Sequence, residues 1–160
     1  MFLSKEEFLK KHENVLRTGL VTESYIEDMF DILEESTKTD IKATRSQIRR
    51  LFSHMLKYQY QKEKQIGSWI NTIRQASTEI QDQCKTSKAI YNTFGDDHLN
   101  DIYNDAKRDA SRETGLSVRD FPQYRPDIFN KDNIINDTFI DDYLFKYAYT
   151  HEAKKYLYLI

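Results

Sequence analysis

The sequence predicts an all-α fold: a single-domain bundle of six to eight helices over residues 1–160, with an antiparallel helix pair at its centre. Three observations carry that prediction. Only four of the 160 residues are Gly and two are Pro, against roughly 12% for the two together in an average chain. A β-sandwich or barrel needs many turns rich in those residues, so the shortage counts against both. Apolar residues recur at spacings of three and four along most of the chain, the period of a helix with one buried face. Aromatic residues make up 13% of the chain, which separates it from disordered sequences.

The elements follow in order. Ser4 with Glu7 is a capping-box pattern. Phe2, Phe8, Leu9, His12 and Leu16 continue at helical spacing to Gly19, predicting a helix over 4–18. Ser24 and Glu27 repeat the box, and Tyr25, Ile26, Met29, Phe30 and Leu33 predict a helix over 23–36. The polar run Thr37–Asp40 predicts its end. Ile41, Thr44, Ile48, Leu51, Phe52 and Met55 hold the period without Gly or Pro, giving a helix over 40–63. After Gly67, Trp69, Ile70, Ile73, Ala76, Ile80 and Cys84 give one over 68–85. A short helix over 87–94 stops at Gly95, and Leu99, Ile102, Tyr103, Ala106 and Ala110 give one over 97–114, closed by Gly115. Residues 116–127 hold Pro122 and Pro126 and read as loop. A short helix is expected over 127–135 and a mostly helical tail over 137–160, with strand propensity in its last five residues.

Charge is close to balanced overall, at −2, which is unlike a strongly basic nucleic-acid binder. Its distribution is uneven. Residues 23–40 carry seven acids against Lys38, while residues 41–75 carry eight bases against Glu63. Residues 95–142 carry twelve acids and six bases. The N-terminal stretch lacks the apolar run of a secretory signal, and no 18-residue apolar run occurs. With one cysteine, Cys84, these features lead to the expectation of a cytoplasmic protein.

The middle of the chain carries a recognisable pattern. His54-Met55-Leu56-Lys57-Tyr58-Gln59-Tyr60-Gln61, then Ser68-Trp69 and Thr72-Ile73-Arg74, resembles the DUF29 family of bacterial helical proteins. Tyr103-Asn104-Asp105-Ala106-Lys107, Glu113-Thr114-Gly115-Leu116 and Phe121-Pro122 form a second block, and Ile134 to Ile140 a third. The resemblance spans about 24–140 and implies a helical core; the aromatic extension over 141–160 and the acid-rich second helix look particular to this chain. The family is largely uncharacterised, so the resemblance implies no activity, cofactor or catalytic residue.

Five groups of residues carry candidate chemistry. His54, Lys57, Gln59 and Trp69 read either as an acid–base site or as a polar network in which His54 and Trp69 hydrogen-bond between helices 40–63 and 68–85. The network is the expected reading, since no nucleophile or second acid accompanies them. Asp97, Asp101, Asp105, Asp109 and Glu113 recur every four residues along one helical stripe. Like charges at that spacing oppose each other, so the stripe needs a use: pairing with the basic helix 40–63, solvation, or a basic partner. A metal at His98 and Asp101 lacks the Glu-x-x-His pairs of di-iron bundles. Arg45, Arg49 and Arg50 with nearby Tyr58, Tyr60 and Trp69 form a possible nucleic-acid face. Cys84 continues an apolar stripe and reads as a packed thiol. Tyr143, Phe145, Tyr147, Tyr149, Tyr156 and Tyr158 read as packing or as a homodimer seam.

No P-loop, GxGxxG, GxSxG or HExxH occurs, and nothing calls for a cofactor. The expected function is a non-catalytic protein-binding module. Its acids Glu27, Asp28, Asp31, Glu34 and Glu35, with Asp97, Asp101, Asp105 and Asp109, would bind a basic protein partner. Size and charge suit an immunity protein or antitoxin that blocks a toxic nuclease. The alternatives are nucleic-acid binding through helix 40–63 and an enzyme built on His54 and Lys57.

Overall fold

The structure is a computed structural model that describes residues 3–159. Phe2, expected on the first apolar stripe, and Ile160 lie outside the described residues. The fold is all-α. Its backbone divides into two compact units, one up to Lys42 and one from Ala43 onward. Among the described residues no helix is long and apolar enough to cross a membrane.

The first unit holds α1 (Lys5–Lys11), α2 (Glu13–Thr18) and the first part of α3 (Glu23–Tyr60). Ser4 caps α1: its hydroxyl accepts from the Glu7 amide at 3.1 Å, and the Glu7 carboxylate accepts from the Ser4 amide at 3.3 Å. The expected helix over 4–18 is interrupted at His12, whose backbone leaves helical geometry. His12 turns inward there, into a ring cluster with Phe8 at 4.8 Å and Tyr25 at 5.4 Å between centroids. Gly19, with φ +75°, closes α2 in the left-handed conformation that costs Gly least.

The predicted break at 37–40 does not occur. α3 is one helix of 38 residues, about 57 Å long at 1.5 Å per residue. Thr37 and Thr39 donate their hydroxyls to the carbonyls of Leu33 and Glu35, one turn back. Their polar groups are satisfied without leaving the helix, and neither Gly nor Pro forces a stop.

The second unit is built on the remainder of α3, α4 (Gly67–Thr86), α5 (Lys88–Thr93), α6 (Asp96–Thr114), α7 (Lys131–Ile134), α8 (Asp137–Tyr147) and α9 (His151–Tyr156). The described helices thus number nine, one more than the upper expectation. α3 and α4 are antiparallel. Lys57 in α3 lies over Trp69 at the start of α4, while Thr44 and Gln47 share a recess with Glu79, Asp82 and Gln83 near its end. α6 lies parallel to α3, because Arg45, Arg49 and Lys57 pair in order with Asp105, Asp109 and Glu113. α8 crosses back along α4, with Arg74 on Asp141 and Gln81 on Asp137.

In the second unit the predicted apolar stripes of α3, α4 and α6 meet in one core. Ile48, Leu51, Phe52 and Met55 of α3 are buried with Ile70, Ile73, Ala76 and Ile80 of α4. Leu99, Ile102, Tyr103, Ala106 and Ala110 of α6 complete it. The tail joins that core rather than trailing from it. Tyr143 and Leu144 are buried, Tyr58 donates its hydroxyl to the Leu144 carbonyl at 2.6 Å, and Tyr143 donates to the Met55 carbonyl at 2.8 Å. The end of the chain, read for strand propensity, is helical to Tyr156 and then a turn at Tyr158.

Candidate partner-binding surface

The N-terminal part of α3 exposes an apolar stripe. Ile26, Phe30 and Leu33 are spaced as one helical face and are 46%, 67% and 56% exposed. Large apolar side chains at that spacing are normally the buried side of a helix. One position on, about 100° round the helix, Glu27, Asp31 and Glu34 form a second, exposed stripe with the same spacing. Glu35 is half-buried. Glu34 also meets Lys38 at 3.4 Å, an exposed pair that contributes little.

Asp28 stands apart from these acids. Its carboxylate holds Lys11 Nζ at 2.8 Å and His12 Nε2 at 2.6 Å. Those two bonds hold its pKa below the usual carboxylate range. It is corrected from a partner-facing acid to the bond that ties α3 to the α1–α2 corner.

The acid ladder of α6 divides in the same way. Arg49 grips Asp109 with two bonds, Nε to Oδ2 at 2.6 Å and Nη2 to Oδ1 at 2.8 Å. Arg45 Nη2 donates to Asp105 Oδ2 at 2.7 Å. Arg108 and Arg112, one turn on, reach Oδ1 of the same two carboxylates. Arg45 and Arg49 keep Asp105 and Asp109 below their ordinary pKa values. Of the three uses weighed for the ladder, pairing with α3 therefore describes Asp105 and Asp109, and both are corrected from partner-facing acids. Asp97 and Asp101 remain exposed. The same pairs occupy two of the three arginines expected on a nucleic-acid face, while Arg50 Nη1 reaches Gln47 at 3.4 Å.

His54, Lys57 and Trp69 do come together, with different partners from those expected, while Gln59 does not join them. His54 Nδ1 lies 3.0 Å from the Arg50 carbonyl, so it carries the proton and donates it there. That leaves Nε2 as the acceptor facing Lys57 Nζ at 3.5 Å. The expected His54–Trp69 bond is replaced by contact through Lys57, whose ammonium lies 5.3 Å from the Trp69 ring centre. Lys57 is 7% exposed and donates to Glu113 Oε2 at 2.5 Å. A buried ammonium needs such a partner. Gln59 belongs to the opposite face, where its Oε1 lies 2.8 Å from the Tyr143 hydroxyl.

Burial first, then the Lys57 charge, holds the His54 imidazole below its ordinary value of 6.5. A lowered folded-state pKa means that the unfolded chain takes up the proton first as pH falls. The stability contributed by neutral His54 is whole above about pH 6.5 and is lost as pH falls through the lower folded value. Urea titrations are expected to show a decline that begins before the carboxylates titrate, and His54→Gln is expected to remove that early step. Identical pH profiles for the two proteins would refute the assignment.

Cys84 is half-buried, and burial raises its thiol pKa, the opposite of an activated nucleophile. In the tail, Tyr143 is buried and Tyr147 half-buried, whereas Phe145, Tyr149, Tyr156 and Tyr158 are exposed. Gln65 escaped the sequence reading altogether. It lies in the polar run Lys62–Gln65 and has no periodicity to mark it, yet it is buried.

The chain matches the family described as "Domain of unknown function DUF29" over residues 6–140. The match takes in α1 from its second residue, α2 and all of α3, so it begins upstream of the motif blocks at 54–61, 103–107 and 113–122. No curated protein and no solved structure matches the chain.

Proposed function

The chain belongs to the DUF29 family, and for this member we propose a non-catalytic protein-binding module that docks a basic partner on the N-terminal part of α3. One observation carries the reading: the exposed Ile26–Phe30–Leu33 stripe running beside the exposed Glu27–Asp31–Glu34 stripe. An apolar face supplies affinity, and adjacent like charge supplies steering and selects the sign of the partner. The fitting occupant is an amphipathic segment with apolar anchors flanked by Lys or Arg. With Asp28, Asp105 and Asp109 committed internally, the surface narrows to this helix, and Asp97 and Asp101 act as a secondary acidic patch. The proposed action is neutralisation of a basic toxic protein such as a nuclease, in the manner of an immunity protein or antitoxin, and the proposed compartment is the cytoplasm. Small size and the acidic stripe support that refinement.

The test is capture of partners from the native host by the wild type, by Phe30→Ser and by the triple charge reversal Glu27→Lys, Asp31→Lys, Glu34→Lys. Circular dichroism checks that each variant is folded. The expected result is a basic protein held by the wild type and bound about 100-fold more weakly by either variant. Its toxicity on expression is expected to be relieved by the wild type alone. Equal retention by all three proteins, or a partner without excess positive charge, would overturn the reading.

A further inference from the structure

A pocket of about 300 Å³ opens in the second unit between α3, the loop before α7, and α8. That is the lower end of the range for small-molecule sites, enough for one or two rings. Its walls are rings: Tyr60, Phe129, Phe139, Tyr143 and Tyr147. They are held before anything binds. The Tyr143 hydroxyl is fixed by the Met55 carbonyl at 2.8 Å, and its ring lies 4.8 Å from that of Tyr147. Tyr60 packs edge-on against Phe121 at 5.6 Å, and Phe129 against Phe52 at 5.3 Å. Such walls favour a planar aromatic group.

The polar groups of the lining are few and differ in commitment. Arg125 is gripped by Asp127 through two bonds of 3.1 and 2.6 Å. Asp142 and Lys146 also line the pocket, one turn apart on α8. Among the described residues Asp142 has no hydrogen bond or ion pair, and Lys146 Nζ, 5.3 Å from the Tyr147 ring centre, has no carboxylate partner. Gln59 adds an amide. The Tyr143 hydroxyl shares its proton between the Met55 carbonyl and Gln59 Oε1, each at 2.8 Å, and Gln59 Nε2 has no hydrogen bond among the described residues.

An unpaired carboxylate and an unpaired ammonium beside one aromatic pocket are the complement of a zwitterion that carries a ring. We propose that this pocket binds a free aromatic α-amino acid. The ring lies between Tyr60, Phe129 and Tyr147, Lys146 meets the α-carboxylate, and Asp142 meets the α-ammonium. The site is separate in sequence and surface residues from the stripe on the N-terminal part of α3, so either proposal stands or falls alone.

The experiment is saturation-transfer NMR and calorimetry on the full chain with three probes: L-phenylalanine, L-phenylalaninamide and N-acetyl-L-phenylalanine. The amide lacks the carboxylate, and the acetyl compound lacks the ammonium. L-Phenylalanine is expected to bind about 10-fold more tightly than either. Lys146→Glu is expected to abolish its advantage over the amide, and Asp142→Asn its advantage over the acetyl compound. Both positions are at the surface of α8, so folding is preserved, and Ile128→Trp provides a variant that fills the pocket. Absence of saturation transfer from all three probes overturns the site. Equal binding of all three, or binding unaffected by Ile128→Trp, overturns the assigned ligand class.

Discussion

Gln65→Leu is expected to lower the free energy of unfolding by about 4 kcal/mol, one of the largest losses from any single polar substitution in the chain. Gln65 is 1% exposed and uses its whole amide. Its Nε2 donates to the Tyr58 and Tyr147 carbonyls, each at 2.7 Å. Its Oε1 accepts from the amides of Tyr149 at 2.8 Å and Thr150 at 3.3 Å. The Thr150 hydroxyl donates to the Gln65 carbonyl at 3.0 Å. One side chain thus satisfies the end of α3, the end of α8 and the turn into α9. Leucine matches the volume and removes all four side-chain bonds, leaving backbone groups unpaired at roughly 1 kcal/mol or more each. Glutamate is expected to be equally damaging, since it places a second acceptor against two carbonyls. Urea unfolding of both variants checks this, with an expected fall in melting temperature of roughly 10 °C. A loss below about 1 kcal/mol for Gln65→Leu would show that water replaces the amide and that the tail is held by packing alone.

The reason Gln65 was illegible in the sequence also explains what was legible. α4 and α6 were placed to within a residue because their signals are local: an unbroken apolar stripe, and for α6 a Gly115 that ends the helix in the left-handed conformation, φ +78°. Three of the four side-chain partners of Gln65 lie 82 to 85 residues downstream, and no spacing rule reaches that far. Thr37 and Thr39 misled for the opposite reason. Their weak helix propensity is local and real, but it amounts to less than 1 kcal/mol per residue, and their hydroxyls bond within the helix. The α6 ladder was half-readable. Asp105 and Asp109 repeat at the same interval as Arg45 and Arg49, and two helices with equal charge spacing pair naturally when they run parallel. What the sequence could not supply was that α6 runs parallel to α3, which decides whether the acids face inward or toward a partner. The aromatic pocket was unreadable because α3, a proline-bearing loop and α8 each contribute only part of its wall.

That loop is the subject of the other large effect. Tyr103→Ala is expected to cost about 4 kcal/mol, in the range for deleting a fully buried aromatic side chain, and to open residues 121–130 in particular. Tyr103 is 0% exposed, and burial raises the pKa of its hydroxyl, which stays protonated. That hydroxyl donates to the Pro122 carbonyl at 3.0 Å. Its ring lies 5.6 Å from Tyr124 and 5.3 Å from Phe129, so α6 holds the loop at three points. Pro122 and Phe129 are also walls of the aromatic pocket. Removing the ring leaves a void that the loop must collapse into or abandon, and in either case those walls move. Tyr103→Phe keeps the ring and loses one hydrogen bond, at about 1 kcal/mol. The two variants separate packing from polarity. Hydrogen exchange over residues 121–130 is expected to accelerate strongly in Tyr103→Ala and slightly in Tyr103→Phe, and L-phenylalanine binding is expected to survive only in the second. Unchanged exchange in the alanine variant would mean that the loop is held by its own turns and by Phe129 against Phe52, and that the pocket owes its shape to α3 and α8.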